Sequence, residues 1–230
     1  MWPFRRRPIA PEKQDWIAAH FDWEAACVGA DTLRRTPLVT PTRHFFKAPR
    51  GEDDATAQAV FDEVKALLGL AGATVTLIAQ GNLPDQAAID RSQISAVSGT
   101  FQDDPDDPII TYEPRLLRTP VAFISTMAHE LMHLRLAPFV DDLPGGEEQH
   151  ELATDLHCII AGFGILQMDA ADSLGWAGYL QQDTRAHALA YFLHLTGHPV
   201  SDALPFLASP SAAKLRAAAR HLDLDGPRTA

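Results

Sequence analysis

The stretch TPVAFISTMAHELMHLRL, residues 119–136, predicts a buried helix. Thr119 supplies a hydroxyl at the N-cap, and Pro120 stands at the first helical position, where its missing N–H costs nothing. The residues that follow are apolar nearly all round the helix, which is typical of a helix inside a core. Pro138 stands just beyond the expected end.

This helix contains the motif His129-Glu130-x-x-His133. Side chains four residues apart lie one above the other on a helix, so both imidazoles can reach one ion. Glu130 is rotated by about 100° from His129, and it can contact a water bound to such an ion. Burying two imidazoles and a carboxylate without partners would cost several kcal/mol. The motif therefore favours a metal site over a polar patch on the helix.

A third ligand is expected, because catalytic zinc usually takes three protein groups and leaves a fourth position for water. The next predicted helix, over residues 146–157, carries Glu151 and Asp155 on one face. One of the two can bind the metal while the other accepts a hydrogen bond from a ligand histidine. Glu147 shares that face, but it is more simply an acid in the first turn of the helix.

The motif HExxH at residues 129–133, followed by ExxTD at residues 151–155, resembles the gluzincin group of zinc metallopeptidases. The run through residues 162–164 and on to residues 178–180 is similar to uncharacterised bacterial cytosolic proteins with the same HExxH core, and the resemblance is specific over about residues 109–164. His150 stands where the best-known gluzincins carry an asparagine. The resemblance implies one zinc ion per chain and these roles: zinc ligands His129, His133 and Glu151, general base Glu130, and Asp155 as the residue that orients His129.

Peptide hydrolysis also needs a hydrogen-bond donor for the oxyanion of the tetrahedral intermediate. Tyr179 and His187 are the candidates for this donor. His187, Tyr191 and His194 share one face of a helix predicted over residues 184–195. The alternative interpretation is that this stripe only packs against the core.

The remaining sequence predicts an α+β, zincin-like fold. Residues 1–52 form a proline-rich extension with a short helix near residues 16–23, and residues 53–230 form the domain. Its first lobe, about 53–137, holds a small sheet and the active-site helix, and its second lobe, about 138–230, is mostly helical, with the zinc between them. The strands are predicted at residues 74–79, 95–101 and 109–112. Asp53 or Asp54 is expected to cap a helix whose apolar stripe is Val60, Phe61, Val64, Leu67 and Leu68.

Composition excludes several classes of function. The chain has 230 residues and a formal net charge of -11, which repels phosphate backbones, so nucleic acid is not expected as a partner. Cys27 and Cys158 lack any metal-binding spacing, which favours a reducing compartment. No apolar run is long enough to span a membrane. We expect a cytoplasmic protein.

The expected function is zinc-dependent hydrolysis of a peptide or protein substrate, with Glu130 as general base. The strand at residues 109–112 is expected to pair with the extended substrate. The alternative is a non-catalytic zinc-binding module that binds a partner protein or acts as a sensor. A closed set of four ligands, with His150 or His157 added, would favour that alternative. The sequence does not indicate the oligomeric state.

Overall fold

The computed structural model describes residues 9–80, 99–102, 108–173 and 178–222, with the main chain alone described for 99–102. The chain divides into two compact units, one made of residues 1–40 and 141–230 and the other of residues 41–140. The described residues form eight α-helices and one small sheet. None of these helices combines the length and the apolar character needed to cross a membrane. The domain boundaries expected from the sequence stay predictions.

The first helix of the unit of residues 41–140 is α3, Asp54–Leu67. The side chain of Asp53 accepts a hydrogen bond of 2.8 Å from the N–H of Thr56, which confirms Asp53 as the cap. Gly69 follows the helix in a left-handed conformation, with φ at 75°. This glycine therefore lies just beyond the end of the helix, in a conformation that cannot continue it.

Three strands form the sheet of this unit in the order β1-β3-β2. They are β1, Thr76–Ala79, β2, Gly99–Gln102, and β3, Ile109–Tyr112. Strand β3 runs parallel to β1 and antiparallel to β2. The predicted strands at 74–79 and 109–112 are confirmed within two residues. Of the third, residues 95–98 lie outside the described residues.

Strand β3 lies in the middle of the sheet and pairs with a neighbour on each side. Both edges of its main chain are thus used by β1 and β2, so no edge is left for another strand. The prediction that residues 109–112 would pair with a substrate peptide is therefore wrong. Hydrophobic patterning identified the strand but carried no information about its position in the sheet.

Helix α4 runs from Pro120 to Leu136 and confirms the predicted helix. It is buried along most of its length, as its apolar sequence indicates. Thr119 occupies the N-cap position, but its side chain makes no capping hydrogen bond, which corrects the expected role of its hydroxyl. The helix is followed by a 3₁₀ turn over Ala137–Asp142.

The other unit consists of helices joined by short turns. Its helices are α1, Pro11–Val28, α2, Ala30–Arg34, α5, His150–Cys158, α6, Gly164–Ser173, α7, Gln182–Thr196, and α8, Ser209–His221. The helix predicted at 16–23 is the middle of the longer α1, and that predicted at 184–195 is α7. The helix predicted over 146–157 begins as a 3₁₀ turn, Glu147–Gln149, and becomes α-helical at His150.

A π turn over Ile159–Phe163 separates α5 from α6. Gly162 within it has φ at 94°, and its carbonyl accepts a hydrogen bond of 3.0 Å from the N–H of Val39. A Cβ atom at Gly162 would collide with the carbonyl oxygen of Pro37. Glycine is therefore required at position 162 for two reasons: the residue has a positive φ, and the segment of residues 37–39 approaches it closely.

We expect Gly162→Ala to lower the free energy of unfolding by about 3 kcal/mol or more. A left-handed alanine costs about 1–2 kcal/mol, and the collision with Pro37 forces a further shift of the main chain. Gly197→Ala is the control, because Gly197 also has a positive φ of 74°, but a Cβ atom there would meet no described atom within 4 Å. Urea unfolding of both variants measures the difference, and equal losses would contradict the packing role of Gly162.

Candidate metal centre

The two histidines of the motif face each other on α4. The Nε2 atoms of His129 and His133 are 3.1 Å apart, and the ring centroids are 4.7 Å apart. Two nitrogens bound to one tetrahedral zinc, each at 2.0–2.1 Å, would be separated by about 3.3 Å. The helix alone therefore holds this pair near the spacing that a shared ion requires.

Helix α5 supplies the carboxylate of this group. One ligand atom from each of His129, His133 and Glu151 can be chosen so that all three lie within 4.8 Å of one another. Two imidazoles and a carboxylate form a donor set that suits zinc, and three protein ligands leave one position for water. The three residues thus form a group that could hold a metal ion, and their role as ligands stays a prediction.

Glu130 is buried on α4, next to the first histidine of the pair. Other polar residues on and next to α5 lie in different surroundings. Glu147 and Glu148 are exposed in the 3₁₀ turn ahead of α5, and His150 is half-buried at the start of that helix. His157 is fully buried against α1, where its Nδ1 lies 3.2 Å from the carboxylate of Glu24.

Asp155 lies on α5 one turn beyond Glu151 and is fully buried. Its Oδ2 accepts hydrogen bonds from the main-chain N–H groups of Tyr179, at 2.6 Å, and Leu180, at 2.8 Å. It also accepts a hydrogen bond of 3.0 Å from Nη2 of Arg185, which is 1% exposed. Asp155 therefore ties both α7 and the segment before it to α5. Its predicted role in orienting His129 stays a prediction.

Arg185 is the partner that the sequence analysis missed. Burial lowers the pKa of its guanidinium, and the charge of Asp155 opposes that shift. A Cβ atom at Gly178, where φ is 77°, would press on both charged groups. The available signal was a single arginine at the start of the mostly apolar helix predicted over 184–195, since a buried arginine requires a carboxylate partner.

The two candidate oxyanion donors lie in unlike surroundings. Tyr179 is 48% exposed, and its main chain is bound to Asp155. His187 is 1% exposed, with its ring centroid 6.2 Å from that of His221. Burial first, and then the charge of His221, lower the pKa of His187 to about 4, so the imidazole is neutral at pH 7. The catalytic roles of both residues stay predictions.

The stripe predicted on α7 is not uniform. Tyr191 packs its ring against Phe21 of α1, with centroids 4.7 Å apart, while His194 is exposed. His187 lies on the side of α7 that meets α8. The three residues share a helix face but have different neighbours, because α7 contacts several helices along its length.

Comparison of this chain with models of known protein families, with curated proteins and with solved structures gives no match. No relative's activity is therefore carried over to this site. The function has to be argued from the three ligand-type side chains and the groups around them.

We expect Asp155→Asn to lower the free energy of unfolding by about 3 kcal/mol or more, because it leaves the Arg185 charge buried without its counterion. Asp183→Asn is the matched control, since the Asp183–Lys214 ion pair lies at the surface of the same unit. An exposed pair of that kind contributes about 1 kcal/mol or less. Urea unfolding at pH 7 measures both variants. A loss below about 1 kcal/mol in Asp155→Asn would show that the buried pair is not needed for stability.

Proposed function

We propose that this chain is a zinc-dependent hydrolase that cleaves peptide bonds in a peptide or protein substrate. The observation that carries the proposal is the convergence of ligand atoms from His129, His133 and Glu151. A set of three protein ligands with a fourth position for water is typical of catalytic zinc, whereas structural zinc usually has four protein ligands. The proposal includes a zincin-like arrangement of the active-site helix and its sheet.

The ligand set suits the group it would hold. The two Nε2 atoms already stand at a separation close to that of a shared tetrahedral ion. A carboxylate as third ligand leaves more negative charge on the site than a third imidazole would. When bound, zinc lowers the pKa of its water and polarises the scissile carbonyl.

Glu130 is the group we assign to proton transfer. It follows His129 directly, so the helix turns its side chain away from the ligand positions while keeping it beside them. Its carboxylate would accept the proton of the attacking water and pass it to the leaving amine. Burial favours this role, because it keeps bulk water from competing for the same carboxylate oxygens.

We assign the oxyanion contact to Tyr179 in preference to His187. The Tyr179 side chain is exposed, and a substrate can reach it without any opening of the core. Its main chain is held by Asp155, one helical turn from Glu151. His187 would first have to leave its buried position on α7.

We expect the purified chain to bind about one zinc ion at pH 7. His129→Gln should weaken zinc binding by more than about 100-fold, since even the outer partners of metal ligands typically contribute 10- to 100-fold. His194→Gln is the control, because His194 is an exposed histidine on α7. Titration calorimetry and elemental analysis measure affinity and stoichiometry. A wild-type chain that binds no zinc at neutral pH would overturn the site.

We expect Glu130→Gln to retain zinc but to lower the rate of hydrolysis of fluorescently labelled casein by roughly 100- to 10,000-fold, the usual contribution of a general base. Glu148→Gln, a change at an exposed glutamate, serves as the control. Full activity in Glu130→Gln would remove the residue from its assigned role. Zinc binding without hydrolysis by the wild type would favour the non-catalytic zinc module instead.

A further inference from the structure

A second polar cluster joins α1 to α5 within the helical unit. It consists of His20 and Glu24 on α1 and His157 on α5, and we call these three residues the α1–α5 latch. All three are buried, with exposures of 0%, 4% and 1%. Trp16 and Trp23 stand edge-on to the rings of His20 and His157, at centroid distances of 4.5 and 5.4 Å. The cluster is therefore covered by aromatic side chains.

The latch is a chain of three polar contacts. Nε2 of His20 lies 3.0 Å from the carbonyl oxygen of Pro144, and Nδ1 of His20 lies 3.0 Å from Nε2 of His157. Nδ1 of His157 lies 3.2 Å from Oε2 of Glu24. The carbonyl of Pro144 also accepts a hydrogen bond of 3.2 Å from Nε1 of Trp16.

The carbonyl of Pro144, at one end of this series of contacts, determines which nitrogen of His20 carries a hydrogen. A carbonyl oxygen only accepts, so Nε2 of His20 must carry a hydrogen. The contact between the two rings needs a second hydrogen. Nδ1 of His157 lies 3.2 Å from Oε2 of Glu24 without the alignment of a hydrogen bond, so this contact is an ion pair, and it needs a third hydrogen on one of its two partners. Two neutral imidazoles and an ionised carboxylate hold only two such hydrogens. Every arrangement that satisfies all three contacts therefore contains one additional proton.

The position of that proton follows from its neighbours. Burial first, and then the charge of His157, lower the pKa of His20 to about 3, and the Pro144 hydrogen bond only partly opposes this shift. His20 is thus neutral and accepts at Nδ1. Between the remaining two groups, imidazole is the stronger base than carboxylate, with reference pKa values of about 6.5 and 4.3. The proton consequently resides on His157, beside the carboxylate of Glu24.

We propose that His157 is an imidazolium that forms an ion pair with Glu24 through Nδ1 and donates its other hydrogen to His20, and that this additional proton fastens α1 to α5. The cluster is then neutral as a whole, which avoids the large cost of burying a lone carboxylate. The inference does not depend on a bound metal.

Acidic residues close to His157 along the chain have other surroundings. Asp155 on the same helix is paired with Arg185 of α7. Glu147 and Glu148 in the preceding 3₁₀ turn are exposed, and the π turn that follows α5 places the buried apolar side chains Ile159 and Ile160 against the core. Glu24 and His20, both on α1, are titratable groups that lie against the His157 ring.

The protonated latch makes the free energy of unfolding depend on pH. In the unfolded chain, histidine releases its proton near pH 6.5. Above that pH, the native state holds one proton more than the unfolded state, so stability falls as pH rises until the latch releases its proton. Below that pH, the unfolded chain binds more protons, because native His20 stays neutral, and stability falls as pH falls towards 3. The contribution of the latch is therefore greatest near neutrality.

Nitrogen NMR of the full chain tests the proposal. In the wild type at pH 7, both ring nitrogens of His157 should carry a directly bonded proton, whereas His20 should show one protonated nitrogen. In Glu24→Gln, the amide can donate to Nδ1 of His157, so the chain of contacts is kept with neutral rings and His157 should lose one ring proton. Glu12→Gln, an exposed change on α1, should leave the His157 signals as in the wild type.

An unprotonated nitrogen on His157 in the wild type at pH 7 would overturn the proposal, even if Glu24→Gln does not fold. Urea unfolding between pH 7 and 9 supplies a second measurement. The difference in the free energy of unfolding between wild type and Glu24→Gln should become smaller as pH rises. A difference that stays constant would contradict the proposal that the native latch holds an additional proton. Neither measurement requires zinc, so a failure here is separate from a failure of the proposed hydrolase.

Discussion

Two imidazole nitrogens held 3.1 Å apart on a largely buried helix are the interaction on which the functional argument depends. Polar groups taken out of water require partners, because an unpaired buried group costs free energy. In α4, the partners come from the spacing of the helix itself, since His129 and His133 are one turn apart. The carboxylate of Glu151 adds the negative charge that a divalent cation favours. This combination of local spacing and one distant acid distinguishes the site from an ordinary polar patch.

Three of the ionisable side chains on helix α5 lie close to other polar groups. Glu151 belongs to the candidate metal group, Asp155 binds Arg185 and two main-chain N–H groups, and His157 meets Glu24 and His20. Positions 151 and 155 share one side of the helix, whereas 157 is turned about 200° further round. One short helix thus presents ionisable groups on two sides: Asp155 faces the oppositely charged Arg185, and His157 lies beside the carboxylate of Glu24. Substitution of these residues is expected to affect packing as well as chemistry.

Local features of the fold could be predicted, and features that depend on neighbours could not. The extent of α4 and the Asp53 cap agree with expectation because they depend on residues within a few positions of each other. Strand β3 was located correctly, but its place in the middle of the sheet overturned its expected role. The stripe on α7 was identified by its spacing, yet its members pack against different helices.

The amino-acid sequence by itself determined that a buried helix carries two histidines four residues apart with a glutamate between them, and that a second helix carries acids at the same spacing. These statements follow from helix geometry, which acts over a single turn. Only the tertiary structure decided that Asp155 pairs with Arg185, 30 residues away, and that His20 meets His157, 137 residues away. Such contacts depend on how whole helices pack, and hydrophobic periodicity specifies which face is buried without specifying what lies against it.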